Sequence, residues 1–289
     1  MMVSLSEPRG RMVNKIQNLT RAKHQEENMP AMESLLYQEE KGIARIVFNR
    51  PQALNALSWD LLQELSACLD DVRANDAVKA LILTGAGDKA FSARADIQFL
   101  HRASPLEVRE FAQIAVSVTH KIETLGKVVV AAINGYALGG GLELAESCML
   151  RVAARHARLG HPEVGIGAIG GFGGTTRLPR LIGKGRAAEL LLTGRLIIAD
   201  EALQLGLVHK VVEPEKVLCA AEDLLLEILS KSPVAIRLTW EAIHRGMNLS
   251  LEESVLLGAD YFGLVASSED FRNGIKAFLE KTRPSFSGR

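Results

Sequence analysis

The chain has 289 residues, of which 47% are hydrophobic and 5% are aromatic, and its formal net charge is +0. This length is sufficient for one large domain, alone or with a small appendage, and the core must be aliphatic. The balanced charge creates no overall field that attracts nucleic acid or an anionic membrane, and no apolar run approaches the roughly 20 residues of a membrane span. We therefore expect neither nucleic acid nor a membrane among the partners.

The cysteines Cys68, Cys148 and Cys219 are far apart in the sequence and show no metal-ligand spacing. Their small, odd number argues against a disulfide framework and favours a reducing, intracellular compartment. We predict a cytoplasmic protein, or a mitochondrial matrix protein if the source is eukaryotic and the N-terminus is a transit peptide.

Residues 1–32 are polar and show no long apolar period. Glu7, Glu26 and Glu27 argue against a transit peptide, because such peptides avoid acidic residues. We predict a disordered extension for this segment, or an artefact of an upstream start codon.

A regular pattern of apolar residues begins after this extension. Residues 35–48 alternate in two short pieces around Lys41 and Gly42, which predicts a β-hairpin. Ser58 is typical of an N-cap, and the apolar spacing after it predicts an amphipathic helix to about Ala74.

Two buried strands are predicted over residues 78–84 and 128–133, and a helix over 104–125 separates them. Pro105 stands at the first position of that helix, where its missing N–H is tolerated. The alternation of strands and helices indicates an α/β layer architecture with right-handed crossovers.

The last third of the chain reads as helical, and we predict a core over residues 33–213 followed by a helical oligomerisation region over 214–289. The helices predicted after Gly183 span residues 184–192, 199–206, 214–230, 233–247 and 251–265.

A dinucleotide-binding pattern, G-x-G-x-x-A, begins at Gly85 after a predicted strand. That fingerprint requires a helix to start there, but residues 91–96 show no helical period. We therefore interpret the glycines as a tight turn.

A glycine-rich bend, Gly139-Gly140-Gly141, joins the second buried strand to a helix-like segment that carries Glu143. Helix N-termini offer unpaired N–H groups that can stabilise developing negative charge, and a nearby carboxylate can transfer a proton. Taken alone, the glycines are explained by close packing and Glu143 by the helix dipole. The combination with a second carboxylate, Glu163, favours a catalytic site.

His161 precedes that second carboxylate by two residues and has no recognisable Cys, Ser or Asp partner, so we favour a positioning or packing role for it. The glycine-rich segment 165–174 lacks the Lys-Ser/Thr ending of a P-loop. We interpret it as a mobile or tightly folded loop that covers the site.

The sequence resembles the crotonase (enoyl-CoA hydratase/isomerase) family over about residues 35–286. The resemblance rests on ordered blocks rather than on one motif. These are Asn49-Arg50-Pro51, Leu54-Asn55-Ala56-Leu57, Lys89-Ala90-Phe91-Ser92-Ala93-x-Ala95-Asp96-Ile97, residues 131–144, His161-Pro162-Glu163, Gly173-Gly174-Thr175, Leu192-Thr193-Gly194, Ala202-x-x-Leu205-Gly206-Leu207-Val208 and Ser268-Glu269-Asp270.

The resemblance implies a spiral of βαβ turns, a helical trimerisation region, a homotrimer or homohexamer, and an acyl-CoA thioester as substrate. It implies that the backbone N–H groups of Ala95 and Gly140 form an oxyanion hole and that Glu143 and Glu163 are the catalytic acids. Residues implied to line the CoA path are Ala53, Leu54, Ala93, Arg94, Ala95, Asp96, Ile97 and Gln98.

The resemblance implies hydration of a 2-trans-enoyl-CoA to a 3-hydroxyacyl-CoA. Glu143 would take a proton from the attacking water and Glu163 would deliver a proton to C2, while two fixed N–H donors hold the enolate oxygen. This chemistry calls for no metal or other cofactor, since coenzyme A is part of the substrate. Acyl-chain length would depend on residues distant in sequence, such as 99–111 and those near Phe172.

Three positions depart from the family pattern. Arg94 stands where glycine is usual, Gln98 where lysine is common, and Met149 where aspartate is frequent. Arg94 either points outward, where it can pair with a CoA phosphate, or distorts the oxyanion loop. We favour the outward orientation.

Two alternatives to a hydratase remain at this level. A double-bond isomerase needs only one proton-shuttling glutamate, and a catalytically weak scaffold or RNA binder needs none. RNA-binding members carry a lysine-rich helix, whereas the helix after Ser58 carries Asp60, Glu64, Asp70 and Asp71 against Arg73, which argues against a phosphate-binding surface.

Overall fold

The computed structural model describes residues 33–289, so the extension predicted for residues 1–32 lies outside the described residues. Ser34–Arg289 form one compact unit. No helix in the described part of the chain is both long and apolar enough to cross a membrane.

The strands are short and are distributed along most of the chain. In chain order they are β1 (Leu35–Glu40), β2 (Ile43–Phe48), β3 (Ala80–Gly85), β4 (Ala90–Ala93), β5 (Val128–Ile133), β6 (Tyr136–Leu138), β7 (Leu150–Ala154), β8 (Arg158–Gly160), β9 (Ile197–Ile198) and β10 (Lys210–Val212).

Helices connect these strands and make up the C-terminal part. They are α1 (Trp59–Ala74), α2 (Ile97–Arg102), α3 (Pro105–Glu123), α4 (Gly140–Ser147), α5 (Gly174–Ile182), α6 (Lys184–Thr193), α7 (Ala199–Gln204), α8 (Val217–Leu229), α9 (Pro233–Gly246), α10 (Leu251–Ala266) and α11 (Glu269–Glu280), with short 3-10 turns at Pro51–Ala53, Pro162–Ile166 and Pro214–Lys216.

The strands form two sheets within the described residues. A six-stranded sheet has the order β1-β2-β3-β5-β7-β10, in which only β1 runs antiparallel to its neighbour. A four-stranded sheet has the order β4-β6-β8-β9, with β9 antiparallel to β8. Three times, a strand of the larger sheet leads through a turn into a short strand of the smaller one: β3 to β4, β5 to β6 and β7 to β8. This repetition is the spiral architecture that the resemblance implied.

Local sequence signals explain the elements that were predicted. Lys41 and Gly42 both have positive φ in the β1–β2 turn, and the Ser58 hydroxyl caps α1 by accepting the Leu61 N–H. Ser104 and Glu107 form a reciprocal capping box at the start of α3. The predicted hairpin, both helices and the strand at 128–133 are therefore confirmed.

The strand predicted over 78–84 begins two residues later than expected. The Val78 N–H donates to the Asn75 carbonyl in the turn after α1, so sheet pairing starts only at Ala80. The smaller sheet was not predicted, because strands of two to four residues show too little periodicity.

The C-terminal helices were predicted with nearly correct bounds, but they have different environments. Helix α8 packs against β5 and β7 and so covers the larger sheet. Helices α10 and α11 instead expose large apolar side chains to solvent, including Leu251, Phe262 and Phe278.

Candidate active site

A cavity of about 370 Å³ lies where β4, β6 and β8 end. Its lining includes Ala95, Gly140 and Glu163, each of which follows one of these strands within three residues. Backbone hydrogen bonds hold the strand ends together, from the Arg94 N–H to the Leu138 carbonyl (2.8 Å) and from the Gly139 N–H to the Gly160 carbonyl (2.9 Å). Parallel pairing in the smaller sheet thus assembles three distant sequence blocks at one edge.

Two backbone N–H groups at this cavity have no acceptor in the described part of the chain. Within residues 33–289, neither Ala95 nor Gly140 donates its N–H to a protein acceptor. Gly140 is the first residue of α4, where no intrahelical acceptor exists. Leu57 bonds to the Arg94 carbonyl and the Asp96 N–H on either side of Ala95, which leaves the Ala95 N–H on the other side of the chain. Two such donors can hold an oxyanion.

The glycine-rich bend permits backbone and carboxyl groups to approach closely. Gly139 has φ +52°, and a Cβ added there would lie 2.9 Å from Glu163 Oε1. A Cβ at Gly141 would lie 2.0 Å from the Ser92 carbonyl oxygen of the neighbouring strand. Side chains larger than hydrogen therefore cannot occupy these positions without moving β4 or the Glu163 carboxyl group.

Glu143 is buried in the first turn of α4 and lines the cavity. Its Oε1 accepts hydrogen bonds from the Phe172 N–H (2.8 Å) and the Gly174 N–H (2.7 Å). Burial raises the pKa of the Glu143 carboxyl to about 7, although the Gly174 N–H and His161 act in the opposite direction. A carboxylate with this pKa is suited to accept a proton near neutral pH.

Glu163 lies in the 3-10 turn after β8 and lines the same cavity. Its side chain is 16% exposed, and neither carboxyl oxygen has a hydrogen-bond partner within residues 33–289. The Nδ1 atom of His161 lies 3.5 Å from Glu163 Oε1. Glu163 thus lines the cavity without either carboxyl oxygen being held by a hydrogen bond from the described residues.

A buried contact that the sequence did not predict lies behind Glu163. His161 Nε2 lies 2.9 Å from Glu146 Oε1, and both side chains are almost fully buried. Glu146 follows Glu143 by three residues on α4, so the two carboxylates share one face of the helix. The sequence did contain a signal for this contact. Glu146 lies in a helix whose residues are all buried, and a buried carboxylate needs a polar partner.

The residues expected along the CoA path divide into two groups. Arg94, Ala95 and Ile97 line the cavity, whereas Ala53, Leu54, Ala93, Asp96 and Gln98 are not part of its lining. Leu54 packs on the cluster that contains Ala93. The Asp96 carboxylate caps α2 through the Gln98 N–H (3.1 Å) and pairs with Arg50 (3.2 Å), which fixes the backbone after Ala95.

The 165–174 segment forms part of the cavity lining and also holds the Glu143 carboxyl group. The loop places the Phe172 and Gly174 N–H groups on Glu143, and it also lines the cavity with Ala168 and Ile169. The Phe172 ring packs edge-on against Phe111 of α3, with 5.5 Å between the ring centroids. This aromatic contact forms an apolar wall of the cavity.

Comparison with known proteins establishes the family of the chain. The sequence profile described as enoyl-CoA hydratase/isomerase matches residues 38–289. The chain belongs to this family. It is 45% identical over 256 residues to the crotonyl-CoA hydratase of Syntrophomonas wolfei. The aligned residues make up 89% of this chain and 98% of that protein.

Further relatives extend the similarity to solved structures. The short-chain-enoyl-CoA hydratase of Clostridium acetobutylicum is 42% identical over 87% of this chain and 97% of its own length. The crystal structure of enoyl-CoA hydratase from Bacillus anthracis superimposes with a TM-score of 0.85 at 38% identity, covering 89% of this chain and 100% of that one. The crotonase-type fold implied by the sequence blocks is therefore confirmed.

Arg94 is the main local departure from the crotonase pattern. It is exposed, lines the cavity and has φ +76°, a conformation that glycine adopts more readily than arginine. Its carbonyl and N–H are both used in backbone hydrogen bonds to Leu57 and Leu138, so the loop around it is ordered by pairing. The exposed side chain agrees with the outward orientation that we favoured from the sequence.

Proposed function

We propose that this protein is an enoyl-CoA hydratase that adds water to a 2-trans-enoyl-CoA to give a 3-hydroxyacyl-CoA. The observation that carries the proposal is the convergence of Glu143, Glu163 and the unpaired N–H groups of Ala95 and Gly140 on one cavity. The names of the relatives from Syntrophomonas wolfei and Clostridium acetobutylicum, crotonyl-CoA hydratase and short-chain-enoyl-CoA hydratase, support the same reaction.

The thioester carbonyl oxygen would accept hydrogen bonds from Ala95 and Gly140. Charge moves onto this oxygen as water attacks C3, and a fixed donor of this kind typically contributes about 3–4 kcal/mol to transition-state stabilisation. Glu143 would take the proton of the attacking water, and Glu163 would deliver a proton to C2. The thioester serves as the electron sink, so the proposed step requires no metal or redox cofactor.

Two carboxyl groups at the cavity favour hydration over isomerisation alone. An isomerase moves one proton between two carbons, and a single glutamate is sufficient for that. Here Glu143 is anchored by two backbone N–H groups, whereas both oxygens of Glu163 are free of hydrogen bonds in the described chain. Different environments for two acids are expected where one accepts and the other donates a proton.

A short acyl chain is the substrate that the cavity supports best. Trp59, Phe99, Phe111 and Phe172 form a continuous aromatic cluster with ring-centroid distances of 5.1–6.1 Å. Phe111 and Phe172 belong to the cavity lining, and such close-packed rings leave little room for a long chain behind them.

The direct test is a hydration assay with purified protein. Incubation with crotonyl-CoA should remove the absorbance of the conjugated thioester, and the rate should fall as the 2-enoyl chain is lengthened. Absence of any hydration with crotonyl-CoA and with longer 2-enoyl-CoAs would overturn the proposal.

Arg94 is proposed to contact a phosphate of coenzyme A at the cavity mouth. Arg94→Gly should weaken CoA binding by about 1–3 kcal/mol, the scale of a charge-assisted hydrogen bond, and the lost affinity should be sensitive to salt. Glycine suits the positive φ at this position, so the fold should be retained.

The matched control for this prediction is Arg102→Ala, which removes an exposed arginine from α2 that does not line the cavity. Calorimetric titration of CoA and the hydration rate should be measured for both variants. Tighter CoA binding together with faster hydration in Arg94→Gly would mean that arginine distorts the oxyanion loop instead.

A homotrimer or homohexamer is the proposed assembly. Within the described residues, α10 and α11 expose Leu251 (83%), Phe262 (68%), Phe278 (81%) and Leu279 (74%), which is more apolar surface than a solvated pair of helices usually carries. Light scattering should give a mass of three or six chains. A monomer at micromolar concentration would contradict this assembly.

We further propose a cytoplasmic location. The cysteines described, Cys68, Cys148 and Cys219, are all free thiols, as is usual in a reducing compartment. Fractionation of the source cells with an antibody to the chain would test this assignment.

A further inference from the structure

Glu146 and His161 form a buried polar pair that the proposed hydration does not yet use. Their side chains are 0% and 1% exposed, and His161 Nε2 lies 2.9 Å from Glu146 Oε1. Glu146 belongs to the α4 helix that carries Glu143, and His161 stands two residues before Glu163. The pair therefore links the segments that hold the two candidate catalytic acids.

The second nitrogen of His161 is directed to the cavity side of the pair. His161 Nδ1 lies 3.5 Å from Glu163 Oε1, and within residues 33–289 neither atom has a hydrogen-bond partner. A buried imidazole nitrogen that has no polar partner lowers the stability of the folded protein, so a neighbouring group is expected to interact with it. Glu163 is the neighbour that the geometry provides.

We propose that Glu146 and His161 are positioning residues for Glu163. Glu146 accepts a hydrogen bond from the Nε2–H of His161, and this bond orients Nδ1 towards Glu163. His161 and Glu163 can then share one proton between Nδ1 and Oε1. The inference rests on the proposed hydratase function, because that shared proton is the one delivered to C2.

The charged groups around the His161 imidazole favour its protonated form. Burial by itself disfavours the imidazolium, but the Glu146 carboxylate and then Glu163 outweigh it and raise the pKa of His161 well above its ordinary value. Glu143, on the same helix as Glu146, also interacts with His161. Arg151 and Arg177 are the cations that interact with Glu146.

The proton count of the step balances without a further reactant. Water gives its hydroxyl group to C3 and one proton to the Glu143 carboxylate, while the proton shared by His161 and Glu163 goes to C2. Neutral His161 and ionised Glu163 then remain. Release of the Glu143 proton to solvent and uptake of one proton by the His161–Glu163 gap restore the starting state.

The Glu146–His161 contact also allows a purely structural interpretation. Gly174, which donates to Glu143, has no room for a Cβ because His161 Cε1 would lie 2.7 Å away, so the imidazole packs tightly beneath the loop. A packing role predicts lower stability on substitution but an unchanged dependence of the rate on pH. The two roles are therefore separable by experiment.

Glu146→Gln is the sharpest variant, because the amide oxygen can still accept the Nε2–H while the negative charge is lost. The alkaline limb of the kcat profile should move to lower pH by about one unit or more, the usual effect of losing an opposite charge at this distance. The KM for crotonyl-CoA should change less than twofold, since Glu146 does not line the cavity.

Asp270→Asn is the matched control. Asp270 is a buried carboxylate that accepts hydrogen bonds from the Ser232 hydroxyl and the Ser287 N–H, and it is not part of the cavity lining. Its amide variant should lose stability without moving the pH profile. If Glu146→Gln behaves in the same way, the positioning role is wrong.

His161→Gln tests the shared proton itself. The glutamine amide can still donate to Glu146, but it does not titrate, so the proton for C2 is then held by Glu163 alone. The alkaline limb should move to lower pH by more than in Glu146→Gln, with kcat at neutral pH lower by about tenfold or more. An unchanged pH profile in His161→Gln would overturn the inference.

A spectroscopic measurement separates this inference from the hydratase proposal. In the ¹⁵N-labelled protein, the His161 resonances can be identified because they are absent from His161→Gln. In the unaltered protein they should show an imidazolium at pH 8. In Glu146→Gln they should show that the imidazole becomes neutral near that pH. A His161 that titrates near pH 6.5 in the unaltered protein would overturn the inference even if hydration is observed. A protein that shows these resonances but hydrates no enoyl-CoA would instead contradict the proposed function.

Discussion

Glu143→Gln should lower hydration of crotonyl-CoA by about 10²–10⁴-fold, the usual contribution of a general base. The amide oxygen can still accept the Phe172 and Gly174 N–H groups that now bond to Oε1, so the loop and the fold should be retained. The loss should therefore appear in kcat, with CoA affinity nearly unchanged. Near-normal turnover by the folded variant would remove Glu143 from the mechanism.

The same substitution should make the protein more stable at alkaline pH. The folded-state pKa of Glu143 is raised from an ordinary 4.5 to about 7, which corresponds to about 3 kcal/mol at ~1.4 kcal/mol for each pKa unit. Because the pKa is raised, the associated stability is fully present below pH 4.5 and is lost as the pH rises through 7.

Glu143→Gln has no carboxyl group to ionise, so its stability advantage should be full above pH 7 and vanish near pH 4.5. Denaturant unfolding of both proteins at pH 5, 7 and 8.5 measures the difference. A stability difference that does not change with pH would show that burial does not disfavour the Glu143 carboxylate.

Glu163→Gln should also suppress hydration, by a similar 10²–10⁴-fold, because the proton for C2 is no longer available. Its effect on stability should be small, since neither oxygen of Glu163 has a hydrogen-bond partner in residues 33–289. The contrast with the anchored Glu143 provides an internal comparison between two carboxyl-to-amide changes in one cavity.

The products should be analysed for both hydration and double-bond migration between C2 and C3. Loss of hydration with retained migration would favour the isomerase alternative. If neither activity changes in Glu163→Gln, the two-carboxylate mechanism is wrong.

Much of the larger sheet and most helices could be predicted from local sequence. The Lys41-Gly42 turn, the Ser58 and Ser104 caps, and the continuous apolar run of β5 each depend on interactions within a few residues. The smaller sheet could not be predicted in this way, because its two- to four-residue strands are defined by their pairing partners.

The candidate site shows the same division. Residue type and family resemblance singled out Glu143, Glu163 and the glycine-rich bend, since acids and glycines in apolar sequence need an explanation. Neither showed that Asp96 would cap a helix and pair with Arg50.

The sequence alone therefore determined the α/β class and the boundaries of most helices, and it singled out Glu143 and Glu163 as candidates, because these follow from periodicity, capping and recognisable residue blocks. Only the tertiary structure decided which strand ends meet, how burial raises the pKa of Glu143, and that Glu146 reaches His161. The physical reason is distance: pairing of β4, β6 and β8, desolvation and charge interaction act between residues that are far apart along the chain.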